Sequence, residues 1–401
     1  MKAWRVGWCV IVAAAVSLQA QALGHAQGSA DEVAARIHRE AVVVDMHADT
    51  LLRVLDAGED LGWRTARGDI DIPRMREGGL DCQLLAAWPS PVFKQYGFLK
   101  RSLDMIDAHA GLVESHPQDL VAARTVADIR AAAAAGKIAT LAGIEGGHAI
   151  ENDPRMLSIF ARLGVRCMTL TWAMSTEWAD SSGDKGTHGG LTPLGRDIVR
   201  EMNRLGIAVD VSHVSDRTFY DVLDASSKPV IASHSSCRAL AASARNLSDD
   251  QLRALAAKGG VVGINFYPPF LDAAFGRRLD AMNRRLLPEL QKIDAQNRGQ
   301  PGRAWLARNE LAKAEARKLP GRVTISRLVD HIEHAVKVAG VDHVGLGADF
   351  DGIDAEIEGL EDCSKLPALT AELMRRGFTE QEVKKILGEN FLRVLKEIIG
   401  Q

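Results

Sequence analysis

The chain of 401 residues has no long run of lysine and arginine, and its formal net charge is −3. Nucleic-acid-binding proteins present a basic patch to the phosphates, so we expect no nucleic-acid partner. The sequence also lacks a glycine-rich phosphate loop, a Gly-x-Ser-x-Gly nucleophile elbow and zinc-finger spacing. None of those three kinds of site is therefore predicted.

Cysteine is scarce, with five in the whole chain. Cys82 and Cys167 lie in apolar, strand-like runs, where a buried thiol packs as a small hydrophobic side chain. Disulfides form in exported proteins, but the sequence alone cannot pair the cysteines. We therefore predict buried free thiols.

One apolar run, residues 6–18, is too short to span a bilayer comfortably. Lys2 and Arg5 precede it, and small residues that suit a signal peptidase follow at Ala20, Ala22, Gly24 and Ala26. This pattern predicts a secretory signal peptide over residues 1–26, cleaved near residues 22–26, with an N-terminal anchor as the alternative. We expect the mature protein in the periplasm or secreted, without a stable membrane span.

Apolar runs of strand length alternate with helix-period stretches along the rest of the chain, which predicts a parallel sheet. Eight such runs in a chain of this length predict an α/β fold, a closed (β/α)₈ barrel of the TIM type over residues 27–401. A polar insertion at residues 268–321, with helical stretches near 279–292 and 305–318, interrupts the repeat as a lid, an interface or a solvated helical pair. The eight runs are residues 42–45, 82–87, 138–144, 166–171, 207–211, 229–232, 261–266 and 343–347.

Polar side chains follow five of these runs at their carboxyl ends, where a barrel keeps its active site. His47 and Asp49 come after the first run, and residues two apart on an extended chain point to the same side. The others are Glu145 after the third run, His213 after the fifth, His234 after the sixth and Asp349 after the eighth.

Three imidazoles and three carboxylates at one barrel mouth repel one another or stay unpaired without a cation. They also outnumber the three protein ligands of one tetrahedral catalytic zinc. Two metals about 3.5 Å apart, bridged by a carboxylate and a hydroxide, would use them all. Glu145 is the natural bridge, because Gly146 and Gly147 let the backbone bring it close. Asp349 is then left as the proton shuttle.

The motifs resemble those of the membrane (renal) dipeptidase family of binuclear zinc peptidases, and they run from the first strand to the last. They are Asp45-Met46-His47-Ala48-Asp49, Glu145-Gly146-Gly147-His148, Asp210-Val211-Ser212-His213-Val214-Ser215, Ser233-His234-Ser235-Ser236, Ala244-Arg245-Asn246 and Gly347-Ala348-Asp349-Phe350-Asp351-Gly352. The resemblance implies a TIM-like barrel that hydrolyses dipeptides, some with a D-residue at the C-terminal position. A homodimer is compatible with the sequence.

By this resemblance, His47, Asp49 and Glu145 would hold one zinc ion, and Glu145, His213 and His234 the other. Asp349 would take a proton from the bridging water and pass it to the leaving amine. Arg245 would bind the C-terminal carboxylate of the substrate, a good partner for a planar guanidinium.

Two positions depart from the family pattern. Trp172 stands where members often have a substrate-binding histidine, and Phe270 stands where a tyrosine can line the pocket. We therefore expect an intact metal site and a substrate pocket with its own side-chain preference.

Two other functions stay open at the level of the sequence. One is another binuclear metal amidohydrolase, but such barrels often bridge their metals with a modified lysine after the fourth strand, where this chain has Thr171 and Trp172. The other is a non-catalytic, metal-containing binding protein. The presence of Asp349 argues against it, since a binding protein needs no proton shuttle.

Overall fold

The computed structural model describes residues 30–400. The predicted signal peptide, with its cleavage site, lies outside the described residues. The predicted mature barrel lies almost entirely within them.

Nine strands in the described part of the chain form one parallel sheet. β2 pairs with β4 as well as with β1, so eight of the strands close into the predicted barrel, and β3 pairs only with the first residues of β4. The strands are buried on both faces because helices cover the outside of the barrel. They are β1 Val43–Ala48, β2 Leu80–Ala87, β3 Leu120–Ala122, β4 Ile138–Glu145, β5 Val165–Thr169, β6 Ala208–Asp210, β7 Ile231–Ser235, β8 Val261–Asn265 and β9 Val344–Gly347.

Helices follow most strands, and several begin at a serine or threonine whose hydroxyl accepts a backbone N–H three residues later. Thr192, Ser215 and Ser248 cap their helices in this way. The helices are α1 30–40, α2 Ile72–Glu77, α3 Phe98–Ser115, α4 Val126–Ala134, α5 Arg155–Leu163, α6 Pro193–Leu205, α7 Asp216–Ala225, α8 Asp249–Ala257, α9 Pro268–Leu271, α10 Ala273–Gln296, α11 Pro301–Ala316, α12 Ile325–Ala339, α13 Leu366–Arg375, α14 Glu380–Lys384 and α15 Asn390–Ile399. None of the described helices has the length and apolar character needed to cross a membrane.

The amino end of the barrel is closed by apolar packing. Met46, Leu84 and Leu141 belong to one buried cluster, and Phe391 and Leu395 of α15 belong to it as well. The amino ends of the strands therefore lie in an apolar core, and their carboxyl ends lie at a polar mouth. The four cysteines of residues 30–400 are buried and free, as predicted.

The predicted insertion contains two long helices, α10 and α11, which pack on each other. Residues of both helices line the cavity above the barrel mouth, among them Asn283 and Trp305. The insertion is therefore one wall of that cavity and does more than present a solvated surface.

Candidate active site

The five predicted metal ligands meet at the carboxyl end of the barrel, and all five side chains are almost fully buried. His213 Nε2 lies 2.9 Å and His234 Nε2 3.4 Å from Glu145 Oε1. His47 Nε2 lies 3.7 Å from the other oxygen, Glu145 Oε2, and 3.8 Å from Asp49 Oδ2. Each oxygen of Glu145 thus faces a different set of histidines.

Metal-ligating groups also cluster by distance. The ligand atoms of His47, Glu145 and His234 lie within 4.8 Å of one another, as do those of His47, Asp49 and Asp349. Among residues 30–400, His47 Nε2 and Asp49 Oδ1 are buried without a hydrogen-bond partner. Imidazole nitrogens and carboxylate oxygens that are buried and free suit a zinc-like divalent cation, so the residues fit a metal.

Burial and charged neighbours together set the protonation of these groups: Glu145 and Asp49 raise the pKa of His47 against the effect of burial, and His47 lowers that of Glu145. Burial raises the pKa of Asp49 to about 7 and that of Asp349 to about 6, and the nearby Glu145 carboxylate adds to both shifts. Burial lowers the pKa of His213 to about 4, and it also lowers the pKa of His234. Both imidazoles are therefore neutral near pH 7, which is the form that binds a metal.

A buried aspartate orients His234. Ser233 Oγ donates to Asp210 Oδ2 over 2.5 Å and lies 2.8 Å from His234 Nδ1. Because the hydroxyl proton goes to Asp210, the serine oxygen is free to accept from His234 Nδ1–H. That tautomer leaves His234 Nε2 bare toward the mouth, as in the carboxylate-supported histidines of metal sites. Sequence analysis quoted Asp210 and Ser233 within motifs but missed this role.

A second aspartate, Asp45, connects the first and last strands of the barrel. Asp45 Oδ1 accepts the backbone N–H of Ala348 at 2.7 Å and that of His47 at 3.4 Å. It therefore holds the end of β1 against the end of β9. Its position directly before the His-x-Asp pair was the available sequence signal.

Two of the site residues adopt left-handed backbone. His213 has φ 70° and Asp349 has φ 64°, a region that non-glycine residues rarely occupy. Such conformations persist only where the surroundings enforce them, and they concentrate at functional sites. His213 lies three residues beyond β6 and Asp349 two residues beyond β9, and both line the cavity at the mouth.

Asp349 lies beside the ligand cluster and is held by one neighbour. Asn265 Nδ2, at the end of β8, donates to Asp349 Oδ2 over 3.0 Å. Sequence analysis did not single out Asn265, although it ends a predicted strand as the ligands do. The ligand atom of Asp349 lies within 4.8 Å of those of His47 and Asp49.

Arg245 lines the same cavity with few partners of its own. Its Nη2 donates to the backbone oxygen of His234 over 3.1 Å, and its Nε has no partner among the described residues. Its guanidinium lies 5.4 Å from the ring centre of Phe270. Burial lowers the pKa of Arg245 to about 10, and the carboxylates of Asp349, Glu145 and Asp210 offset this only in part. None of the three forms an ion pair with Arg245 within the described residues.

Trp172 and Phe270, the two positions that depart from the family pattern, both line the cavity, which measures about 790 Å³. Trp172 lies 6.3 Å from His213 between ring centres. Tyr267 lies against Phe270 at 5.0 Å and donates its hydroxyl to Asp354 Oδ1 over 2.7 Å. A tyrosine therefore does line the pocket, and sequence analysis overlooked Tyr267 in favour of Phe270.

Curated proteins with similar sequences are dipeptidases. The chain is 35% identical to dipeptidase tcpJ of Claviceps purpurea over 75% of this chain, and 34% identical to dipeptidase verJ of Clonostachys rogersoniana over 82%. The matches span 60% and 75% of the two relatives, so this chain covers less than two thirds of the first.

Solved structures share the whole barrel. The probable dipeptidase PvdM of Pseudomonas aeruginosa is 27% identical with a TM-score of 0.78, over 93% of this chain and 99% of that one. A metallopeptidase of Rhodobacter sphaeroides, solved with a phosphinate mimic of L-Ala-D-Ala, is 28% identical with a TM-score of 0.71, over 89% and 99%. The membrane dipeptidase family matches residues 31–399. The chain therefore belongs to the membrane dipeptidase family, peptidase family M19.

Proposed function

We propose that the chain is an exported metallo-dipeptidase that hydrolyses the peptide bond of dipeptides, including some with a C-terminal D-residue. The observation that carries this proposal is the Glu145 carboxylate, whose two oxygens face different histidines across a buried mouth. The relative solved with a phosphinate mimic of L-Ala-D-Ala supports the stereochemical part.

We propose two zinc ions per chain. His47, Asp49 and Glu145 would hold one, and Glu145, His213 and His234 the other. Support comes from five buried ligands, which exceed the three that one catalytic zinc takes from protein. When bound, the two ions would activate a water and polarise the peptide carbonyl.

Asp349 is the proposed proton carrier. Asn265 occupies its Oδ2 and leaves the other oxygen available. The carboxylate would take a proton from the attacking water and give it to the nitrogen of the leaving amine, which restores the carboxylate. A pKa of about 6 suits a group that must accept and release a proton near neutral pH.

Arg245 is the proposed recognition group for the free C-terminal carboxylate. A buried guanidinium without a carboxylate partner gains most from an anionic ligand that it can bind through two N–H groups. Such a pairing would restrict the enzyme to short substrates that end close to the metals.

The experiment is a hydrolysis panel of L,L- and L,D-dipeptides combined with metal analysis of the same sample. We expect cleavage together with about two equivalents of zinc. One equivalent with full activity would exclude the bridged pair. Bound metal without cleavage of any dipeptide would favour a binding protein.

Export to the periplasm or the medium rests on the N-terminal residues 1–26. N-terminal sequencing of protein recovered from a periplasmic extract should begin near residues 22–26. An intact N-terminus in the cytoplasm would contradict this part of the proposal. The oligomeric state, with a homodimer as the candidate, can be read from the same sample by light scattering.

A further inference from the structure

Three tryptophans from separate parts of the chain form one continuous surface, which we term the tryptophan wall. Trp88 follows β2, Trp172 follows β5, and Trp305 lies on α11 of the insertion. The ring centres of Trp88 and Trp172 are 4.9 Å apart, and those of Trp88 and Trp305 are 5.6 Å apart. All three line the cavity above the metal ligands.

The wall continues into other apolar side chains that solvent reaches. Val92 is 52% exposed and Leu287 is 50% exposed, and both line the same cavity. Trp172 and Trp305 are only partly buried. Apolar surface gathered in a concave site marks a place for an apolar ligand group.

Charged side chains near the wall already have partners. Arg308, one helical turn beyond Trp305, lines the cavity, and its Nη1 lies 3.1 Å from Asp294 Oδ2. Asp354 lines the cavity as well and accepts the Tyr267 hydroxyl over 2.7 Å and Asn283 Nδ2 over 2.9 Å. The size and apolar character of the wall are therefore the properties that would discriminate between substrate side chains.

The wall lies across the mouth from the carboxylate-binding side. Trp88 and Trp172 flank the end of β4, and Phe270, beside Arg245, follows β8. In the closed ring, β4 and β8 are four strands apart and therefore opposite. A dipeptide with its carboxylate at Arg245 and its peptide bond at the metals directs its N-terminal residue toward the wall.

We propose that the tryptophan wall binds the side chain of the substrate's N-terminal residue and selects large apolar and aromatic side chains over small ones. This inference rests on the proposed dipeptidase activity. It assigns the insertion, through Trp305, a share in substrate specificity.

The test compares kcat/KM of the metal-loaded enzyme for Gly-Ala, Phe-Ala and Ala-Phe. We expect Phe-Ala to exceed Gly-Ala by about 10-fold or more, because a filled hydrophobic pocket discriminates by roughly that factor. Trp305→Ala should reduce the ratio of Phe-Ala to Gly-Ala to about threefold or less, and Trp305→Phe should keep most of it. Trp63→Ala is the matched control, since Trp63 is 75% exposed and does not line the cavity.

The outcomes separate this inference from the activity on which it rests. Equal rates for Gly-Ala and Phe-Ala, or a Trp305→Ala variant with an unchanged ratio, would overturn the inference while leaving the dipeptidase intact. Selectivity confined to the C-terminal position, seen with Ala-Phe, would do the same. Failure to hydrolyse any dipeptide would overturn both.

Discussion

Two clusters of buried charge lie within the same barrel mouth, and they are built differently. One is the metal-ligand cluster around Glu145. The other, which we term the buried ion network, consists of Arg53, Asp69, Lys313 and Asp351, where Asp351 comes two residues after Asp349. Both groups bury carboxylates, but only the network supplies enough cations of its own.

The buried ion network satisfies each of its carboxylate oxygens. Lys313 Nζ lies 2.7 and 2.6 Å from the two oxygens of Asp69, and Arg53 Nη1 lies 3.1 Å from Asp351 Oδ2. The two aspartates also accept each other's backbone N–H groups, over 2.7 and 2.8 Å. A self-neutralised cluster of this kind is structural.

The metal-ligand cluster leaves buried polar atoms unpaired. His47 Nε2 and Asp49 Oδ1 have no hydrogen-bond partner among the described residues. Unpaired buried charge is costly unless a ligand completes it. The comparison therefore separates a structural charge cluster from one built to bind a cation.

The two arginines repeat the contrast. Carboxylates of Asp351 and Glu59 surround Arg53 and, against the effect of burial, raise its pKa. Arg245 is only partly buried and has one backbone acceptor, and desolvation lowers its pKa. Because Arg245 has unused N–H donors and no carboxylate of residues 30–400 in ion-pair contact, we expect it, and not Arg53, to bind an anionic substrate group.

The largest effect should come from removing the metals. We expect a chelator to abolish hydrolysis and to lower the free energy of unfolding by about 2–4 kcal/mol, because the cation binds only the folded site. Added zinc should restore both, as followed by dipeptide turnover and thermal unfolding. Full turnover in metal-free protein would mean that the cluster around Glu145 is not a cation site required for activity, and the distinction from the structural network would fail.

Asp349→Asn tests the proposed proton carrier beside the cluster. We expect a loss of roughly 10²–10⁴-fold in kcat with both metals retained, since the amide cannot accept the proton. Steady-state kinetics and elemental analysis of one preparation provide the measurement. Loss of one metal would instead make Asp349 a ligand.

Lys313→Met tests the network. Removing one partner of a buried pair should cost about 3–5 kcal/mol in the free energy of unfolding, because Asp69 keeps an uncompensated charge. The double variant Asp69→Asn with Lys313→Met should recover part of that loss, while metal content stays at the wild-type value. Denaturant unfolding of both variants gives their free energies of unfolding. A double variant less stable than Lys313→Met alone would argue against the pairing of Asp69 with Lys313.

Arg245→Ala should lower kcat/KM for free dipeptides by a factor equivalent to about 1.5–3 kcal/mol. The loss should be far smaller for C-terminally amidated dipeptides, which lack the carboxylate. Equal losses on both series would indicate that Arg245 only supports the backbone of His234.

Trp172→Ala should have the smallest overall effect and should mainly change side-chain preference. Its ring borders the cavity, and the metals can polarise the carbonyl without it. Comparison of kcat/KM for small and bulky dipeptides provides the measurement. A uniform loss of 10²-fold or more would mean that Trp172 stabilises the transition state.

The barrel and the family were predicted correctly, and with the family the class of enzyme, because both depend on local patterns. Each ligand lies at or just beyond the end of an apolar run, so strand topology alone brings His47, Glu145 and His234 to one mouth. Trp88 and Trp305 could not be predicted as neighbours, since they are 217 positions apart and only the fold of the insertion joins them. Tyr267 was missed for a similar reason: loop geometry after β8 brings both Tyr267 and Phe270 to the cavity.

The position of α10 and α11 between β8 and β9 makes the enzyme modular. The proposed metal ligands come from the barrel strands and the loops that follow them, while this helical pair supplies an exchangeable part of the cavity wall. An engineered exchange of residues 273–316 could redirect substrate choice without altering the metal ligands. Any replacement would need a lysine where Lys313 lies, because Asp69 would otherwise lose the cation that binds both of its oxygens, while Asp351 would keep Arg53.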